Sequence, residues 1–203
     1  RGGGPDPRGP GRLTAAVPVR RRARLLRSAV LPDGHVWHRI AEVEWTAPLD
    51  PSFAAVRGGR WNPPNSHPTL YLNEDRTTAR LNLRTFIDGW PYEPEDLRDD
   101  TGPVLVLATL PAHQRVADAH TRRGLAATSL PVTYPIDQDG RIVGHDRCQP
   151  VGLEAKRSGL RGIRCRSARV PDGAGRELAW FPATRRSRAR LVAIEAYDRW
   201  YWG

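Results

Sequence analysis

The chain has 203 residues, enough for one domain with a substantial core and an appended arm, and 39% of them are hydrophobic. No run of roughly eighteen apolar residues occurs, which excludes a membrane-spanning helix. The formal charge of +10 is concentrated at one end: residues 1–30 hold eight arginines against Asp6, or +7, so the remainder is only mildly basic.

That first segment, residues 1–30, reads as an arm. Its opening stretch is rich in Gly and Pro and cannot hold a packed element, and Arg1-Gly2-Gly3-Gly4-Pro5 lacks the apolar core of a signal peptide. The absence of Met implies a trimmed start. A basic arm can hold nucleic acid electrostatically, with affinity that falls steeply with salt. A solvated, flexible arm is the favoured reading, because Lys156 is the one lysine among 32 basic residues, a bias that GC-rich coding produces without selection for phosphate contact.

The globular part is expected over residues 31–203. Asp33-Gly34 supplies a turn, and residues 35–40 alternate as a strand, with Val36, His38 and Ile40 on one face and Trp37 and Arg39 on the other. Gly58-Gly59-Arg60-Trp61-Asn62-Pro63-Pro64 is a glycine-hinged turn that lets backbone approach a flat polar ligand, and a short strand at 69–72 follows it with Tyr71. Asn73, Glu74 and Asp75 offer caps to a helix over 76–87. Ala79, Leu83, Phe86 and Ile87 form its apolar stripe, and Asn82 stacks with Thr78 on a neighbouring face. Gly89-Trp90-Pro91 ends it.

Residues 104–110 are almost continuously apolar, the pattern of a strand buried on both faces. Asp137-Gln138-Asp139-Gly140 reads as a hairpin turn, since it lacks the downstream acids of a calcium loop. Asp146 and Gln149 suggest a capping box for a helix over 147–158, with Pro150 near its first turn and Gly159 as C-cap. Strands at 162–167, 177–181 and 190–197 complete the chain. The class is α+β, with short, mostly antiparallel strands and a few helices between them.

Cys148 and Cys165 form no CxxC, and His38, His113, His120 and His145 share no metal-ligand spacing, so no metal site is expected. The two thiols read as reduced and partly buried, as in a cytosolic protein.

Taken together, Arg39, the Gly59-Arg60-Trp61-Asn62-Pro63 block, Tyr71, the segment Gly162 to Arg169 with Ser167, and the apolar strand Glu177-Leu178-Ala179-Trp180-Phe181 resemble the RES domain family. The likeness runs from about Arg39 to Phe181. It implies an ADP-ribosyltransferase-like core and a bacterial toxin that consumes NAD by cleaving the nicotinamide–ribose bond, through hydrolysis, phosphorolysis or ADP-ribosyl transfer. It also implies NAD as substrate, no metal, and an antitoxin partner of the Xre type; homo-oligomerisation is left open. Such chemistry calls for an arginine on phosphate, an aromatic surface for nicotinamide and a group that orients ribose hydroxyls while positive charge develops. By the resemblance, Arg39 and Arg60 hold phosphate, Trp61 belongs to the nucleotide site, and Tyr71 packs on the nicotinamide side. Asn82 addresses the ribose, and Ser167 bonds nicotinamide or ribose.

The chain departs from the family pattern at Asn82, where the resemblance implies a catalytic glutamate. An amide can still orient hydroxyls but brings no negative charge, a loss worth roughly two to three powers of ten in rate. Glu74 and Asp75 are the acids close to it in sequence, and their cap-like position suits a structural role. Three readings follow: a weakened enzyme, an enzyme using another acid, or a domain that binds nucleotide without turnover. A basic nucleic-acid-binding module working through the arm is the rival from another class.

Overall fold

Period-two alternation of apolar residues builds most of this domain as a sheet. The computed structural model describes residues 25–170, 173–183 and 188–203, so the greater part of the expected arm, residues 1–24, lies outside the described residues. Among those described, eight strands form one sheet: β1 (Ser28–Val30), β2 (Val36–Ala41), β3 (Leu70–Asn73), β4 (Val104–Thr109), β5 (Arg115–Ala119), β6 (Gly162–Arg166), β7 (Arg176–Trp180) and β8 (Arg190–Glu195). Their order is β1-β5-β6-β7-β3-β2-β4-β8, and every neighbouring pair is antiparallel except β5 and β6. Five helices accompany it: α1 (Ser52–Arg57), α2 (Arg76–Phe86), α3 (Arg122–Ala126), α4 (His145–Arg157) and α5 (Tyr197–Tyr201). This is the α+β architecture that the sequence indicates. The sheet starts at Ser28, slightly ahead of the expected beginning of the globular part. No helix among the described residues is long and apolar enough to cross a membrane.

The apolar run of β4 is buried on both faces, as expected. Leu105 packs with Ile40, Ala79, Leu83 and Trp200 on one side, while Val106 joins Ala41 on the other. Helix α2 begins at Asp75, whose carboxylate accepts the Thr78 amide at 2.6 Å, and it buries Ala79 and Leu83 against the sheet. Further along the same face, Cys148, Val151 and Ala155 of α4 pack on Ile163, Cys165 and Ala179. Trp37, Leu70, Leu72, Leu178 and Trp180 fill the opposite face.

Two local expectations are corrected. Helix α4 starts at His145 after a Gly144 N-cap that makes no side-chain cap bond, so Pro150 sits in the second turn and Asp146 and Gln149 close no capping box. Gln149 is taken up elsewhere: its Nε2 donates to the carbonyls of Gly59 at 3.0 Å and Asn62 at 3.4 Å. Strand β8 stops at Glu195, because Tyr197 turns inward as the first residue of α5 and its hydroxyl donates to the Pro94 carbonyl at 2.7 Å. The hairpin turn at 137–140 is present, with Gly140 at φ 76° and Asp137 Oδ1 accepting the amides of Asp139 and Arg141.

Candidate functional site

Strands β2 and β3 pair at a single register position, His38 opposite Asn73. Beyond it the sheet opens into a cleft of about 460 Å³, lined by Arg39 and Ile40 from β2, Tyr71 to Asn73 from β3, Asn82 and Phe86 from α2, and Glu177 from β7. Gly58, Gly59 and Arg60 close one side, Trp45, Asp50 and Phe53 another, and His145 and Arg169 complete the rim. A smaller depression of about 330 Å³ near Glu42, Glu44 and Asp100 has no basic residue in its wall, so an anionic ligand has nothing to meet there.

Arg39 stands in the opening between the strands. Its Nη1 donates to the Tyr71 carbonyl at 3.3 Å, its guanidinium lies 5.6 Å from the centre of the Trp45 ring, and its Nε is buried without a partner. No carboxylate lies within ion-pairing distance of it among the described residues. Burial pulls its pKa down to about 10, with only partial relief from Asp50. An uncompensated buried cation of this kind is a seat for an anion.

The Gly-Arg-Trp-Asn turn is held by close packing rather than by backbone strain at Gly59. The Tyr71 ring occupies the space a Cβ on Gly59 would need, and Gly152 of α4 lies equally tight against the Trp61 carbonyl. Tyr71 Oη accepts the Trp61 amide at 2.9 Å and donates to Asn62 Oδ1 at 2.7 Å, while Asn62 Nδ2 donates to the Ala54 carbonyl at 2.6 Å. Gln149 completes the clamp. Burial raises the Tyr71 pKa well above its usual range, so its hydroxyl stays protonated and serves the turn. Tyr71 also lines the cleft.

Arg60 lines the cleft, and its Nη1 is engaged by the Val143 carbonyl at 2.7 Å. Trp61 does not reach the cleft. It is 1% exposed and packs in the core, 5.8 Å from Tyr134 between ring centres, so its expected place in the nucleotide site is corrected to a structural one. Its bulk anchors the turn that presents Arg60.

Asn82 and Ser167 are brought together, but Ser167 does not line the cleft, so its expected contact with nicotinamide or ribose is corrected to a supporting one. Ser167, fully buried, donates from Oγ to Asn82 Oδ1 at 3.2 Å and accepts the Arg169 amide at 3.1 Å. Asn82 Nδ2 donates to Asn73 Oδ1 at 2.6 Å and to Glu177 Oε1 at 2.8 Å, and Asn73 Nδ2 reaches the His38 carbonyl at 3.3 Å. Ser167 therefore sits behind Asn82 as its support. Glu74 and Asp75 are structural, as expected: Glu74 forms a two-pronged ion pair with Arg164, and Asp75 caps α2.

Glu177 is the acid that sequence proximity misses. It is ninety-five residues from Asn82 along the chain. The register Asn73–Glu177 between β3 and β7 sets it beside Asn73 on the sheet face that carries Tyr71 and Ala179. Trp45, Asp50 and Phe53 also went unread, because a loop and a six-residue helix carry no periodic signal. His145 is held below the ordinary imidazole range by burial and by Arg60, and is neutral at pH 7. Cys148 and Cys165 are free and buried, with thiol pKa values pushed up mainly by burial, which makes them poor nucleophiles. Among the described residues no cluster of His, Cys, Asp or Glu could hold a metal ion.

A family model described as the RES domain matches residues 36–202. Among solved structures, the chain is similar to a chain of the M. tuberculosis MbcT–MbcA toxin–antitoxin complex, with a TM-score of 0.66 at 20% identity over 86% of this chain and 92% of that one. No curated protein matches the sequence.

Proposed function

The chain belongs to the RES domain family, and from that premise we propose that it is the toxin of a toxin–antitoxin pair that binds NAD and breaks its nicotinamide–ribose bond. The observation that carries this reading is the buried Arg39 guanidinium, without a carboxylate partner among the described residues, in the same cleft as the Asn82–Glu177 pair that Ser167 supports from behind. An anion seat and a hydrogen-bonding array in one cleft match the two tasks of the reaction, holding the pyrophosphate still and stabilising a ribose that becomes cationic.

In this scheme Arg39 binds phosphate, with Arg60 and the exposed Arg169 adding positive potential at the rim. The face of Tyr71 and the rings of Trp45 and Phe86 offer flat surfaces for nicotinamide or adenine. The 460 Å³ volume lies within the range of small-molecule sites, roughly 300 to 1,000 Å³. Water, inorganic phosphate or a protein side chain accepts the ADP-ribose. The protein acts in the cytoplasm, where NAD is found.

The partner is an antitoxin of the Xre type that covers the cleft. Phe53 of α1, in the cleft wall at 71% exposure, supports this, because it places apolar surface at the rim where a protein would seal the opening, and Val56 of the same helix is also exposed, at 61%.

The test is nicotinamide release from NAD by the purified chain, with and without phosphate. Release that disappears in Arg39→Ala supports the reading, and dependence on phosphate identifies the acceptor. Binding of NAD without any release replaces it with a nucleotide-binding domain that has lost turnover. Absence of both binding and release refutes it.

A further inference from the structure

Helix α2 brings an amide, not a carboxylate, to the cleft. Among the described residues, four acids lie close to Asn82 or in the cleft wall, and three of them are occupied. Glu74 is paired with Arg164, and Asp75 caps α2. Asp50 is exposed at the rim, where it accepts the Ser52 amide at 2.9 Å.

Glu177 differs from all three. It lines the cleft from β7, a strand bonded on both sides by β3 and β6 in the middle of the sheet. It has no cation within ion-pairing distance among the described residues, and its single hydrogen bond there goes from Asn82 Nδ2 to Oε1. The second oxygen, Oε2, accepts no hydrogen bond among the described residues. A carboxylate in the cleft wall with no cation beside it is available to a ligand or to a charge that develops in the site.

We propose that Glu177 is the catalytic carboxylate of this chain, and that Asn82, Asn73 and Ser167 are the positioning residues that aim it. This rests on the NAD-cleaving reading given above. When the C1′–N1 bond breaks, its electron pair leaves with nicotinamide, which becomes neutral, and the positive charge passes to the ribose. Glu177 stabilises that cation and accepts a hydrogen bond from a ribose hydroxyl. Water or an inorganic phosphate oxygen then forms the new bond to C1′. With water, the surplus proton passes to Glu177 and on to solvent; with phosphate, the attacking oxygen is already ionised and Glu177 accepts no proton.

Asn82 acts through Glu177. Its Nδ2 group donates to both Asn73 and Glu177, and its Oδ1 accepts Ser167, so the amide has one orientation and cannot turn away. The acid required by the chemistry is supplied from the sheet, one hydrogen bond from the helix position that lacks it.

The experiment measures kcat and KM for nicotinamide release by the full chain and its variants, over roughly pH 5 to 8, with thermal melts as the folding control. Glu177→Gln is expected to lower kcat by about 100-fold or more, with KM changed by less than about three-fold. Adding Asn82→Glu to Glu177→Gln puts a carboxylate back on the other side of the same hydrogen bond and is expected to recover about ten-fold or more. Should Glu177→Gln melt below the assay temperature, Glu177→Ala with added formate gives the same answer, because formate restores turnover only where a catalytic carboxylate is missing. A folded Glu177→Gln with kcat within about three-fold of wild type overturns the Glu177 assignment while leaving NAD cleavage intact. A wild-type chain that releases no nicotinamide overturns the cleavage reading itself, and the assignment with it.

Discussion

Replacing Arg39 by Met separates a ligand-binding cation from a structural one, because the two roles move stability in opposite directions. Burial lowers the Arg39 pKa from the ordinary guanidinium range to about 10. At about 1.4 kcal/mol per unit, holding the charge inside the fold costs roughly 3 kcal/mol at neutral pH. Against this stand the long hydrogen bond to the Tyr71 carbonyl and the contact with Trp45, worth together about 2 kcal/mol. Methionine keeps the apolar stem and removes the charge, so Arg39→Met is expected to gain about 1 kcal/mol, or about 2 to 4 °C in Tm for a domain of this size. The unfolded chain holds the proton to higher pH than the native one. The wild-type penalty is therefore constant through neutral pH and is relieved only as pH rises past about 10. Ligand binding moves the other way: losing charge-assisted bonds to phosphate weakens NAD by about 1.5 to 3 kcal/mol, roughly ten- to 150-fold. Scanning calorimetry with and without NAD, joined to isothermal titration, reads both effects on one preparation. An Arg39→Met protein that melts several degrees lower and binds NAD as well as wild type would refute the argument and make Arg39 a structural residue.

Two other perturbations test the frame that carries the site. Gly152→Ala drives a Cβ into the Trp61 carbonyl, where neither helix α4 nor the turn has room to give. A loss of about 3 kcal/mol in urea unfolding is expected, and unchanged stability would contradict the close packing described. His67, with its ring 4.5 Å from that of Phe181, has its pKa lowered to about 4 by burial and then by Lys156. The unfolded chain takes up that proton first, near pH 6.5, so the contribution is whole above that value and lost as pH falls toward 4. After allowance for its partial exposure it amounts to about 2 kcal/mol. Urea midpoints for wild type and His67→Gln at neutral pH and near pH 4 should converge as the medium becomes acidic; a constant gap would exclude His67 as a source of the acid sensitivity.

The amino-acid sequence by itself determined the class of the fold and named several of the residues that line the cleft. Alternation marked β2, and the stripe of Ala79, Leu83 and Ile87 marked α2, because those patterns have the period of the element they build. The order Arg39, Gly59-Arg60-Trp61-Asn62, Tyr71, Asn82 and Ser167 was legible as one constellation, and the structure brings Arg39, Arg60, Tyr71 and Asn82 into one cleft, with Ser167 directly behind it. Short pieces such as α1, α3 and β5 stayed hidden, since five or six residues offer too few repeats to distinguish a period. Only the tertiary structure decided that Trp61 turns into the core and that Gln149 clamps a turn ninety residues away, because burial and contact between distant segments depend on how helix and sheet pack. It also decided which acid stands beside Asn82. The register of β7 against β3 is a pairing across more than a hundred residues of chain, and it sets Glu177 next to an amide that sequence proximity had matched with Glu74 and Asp75.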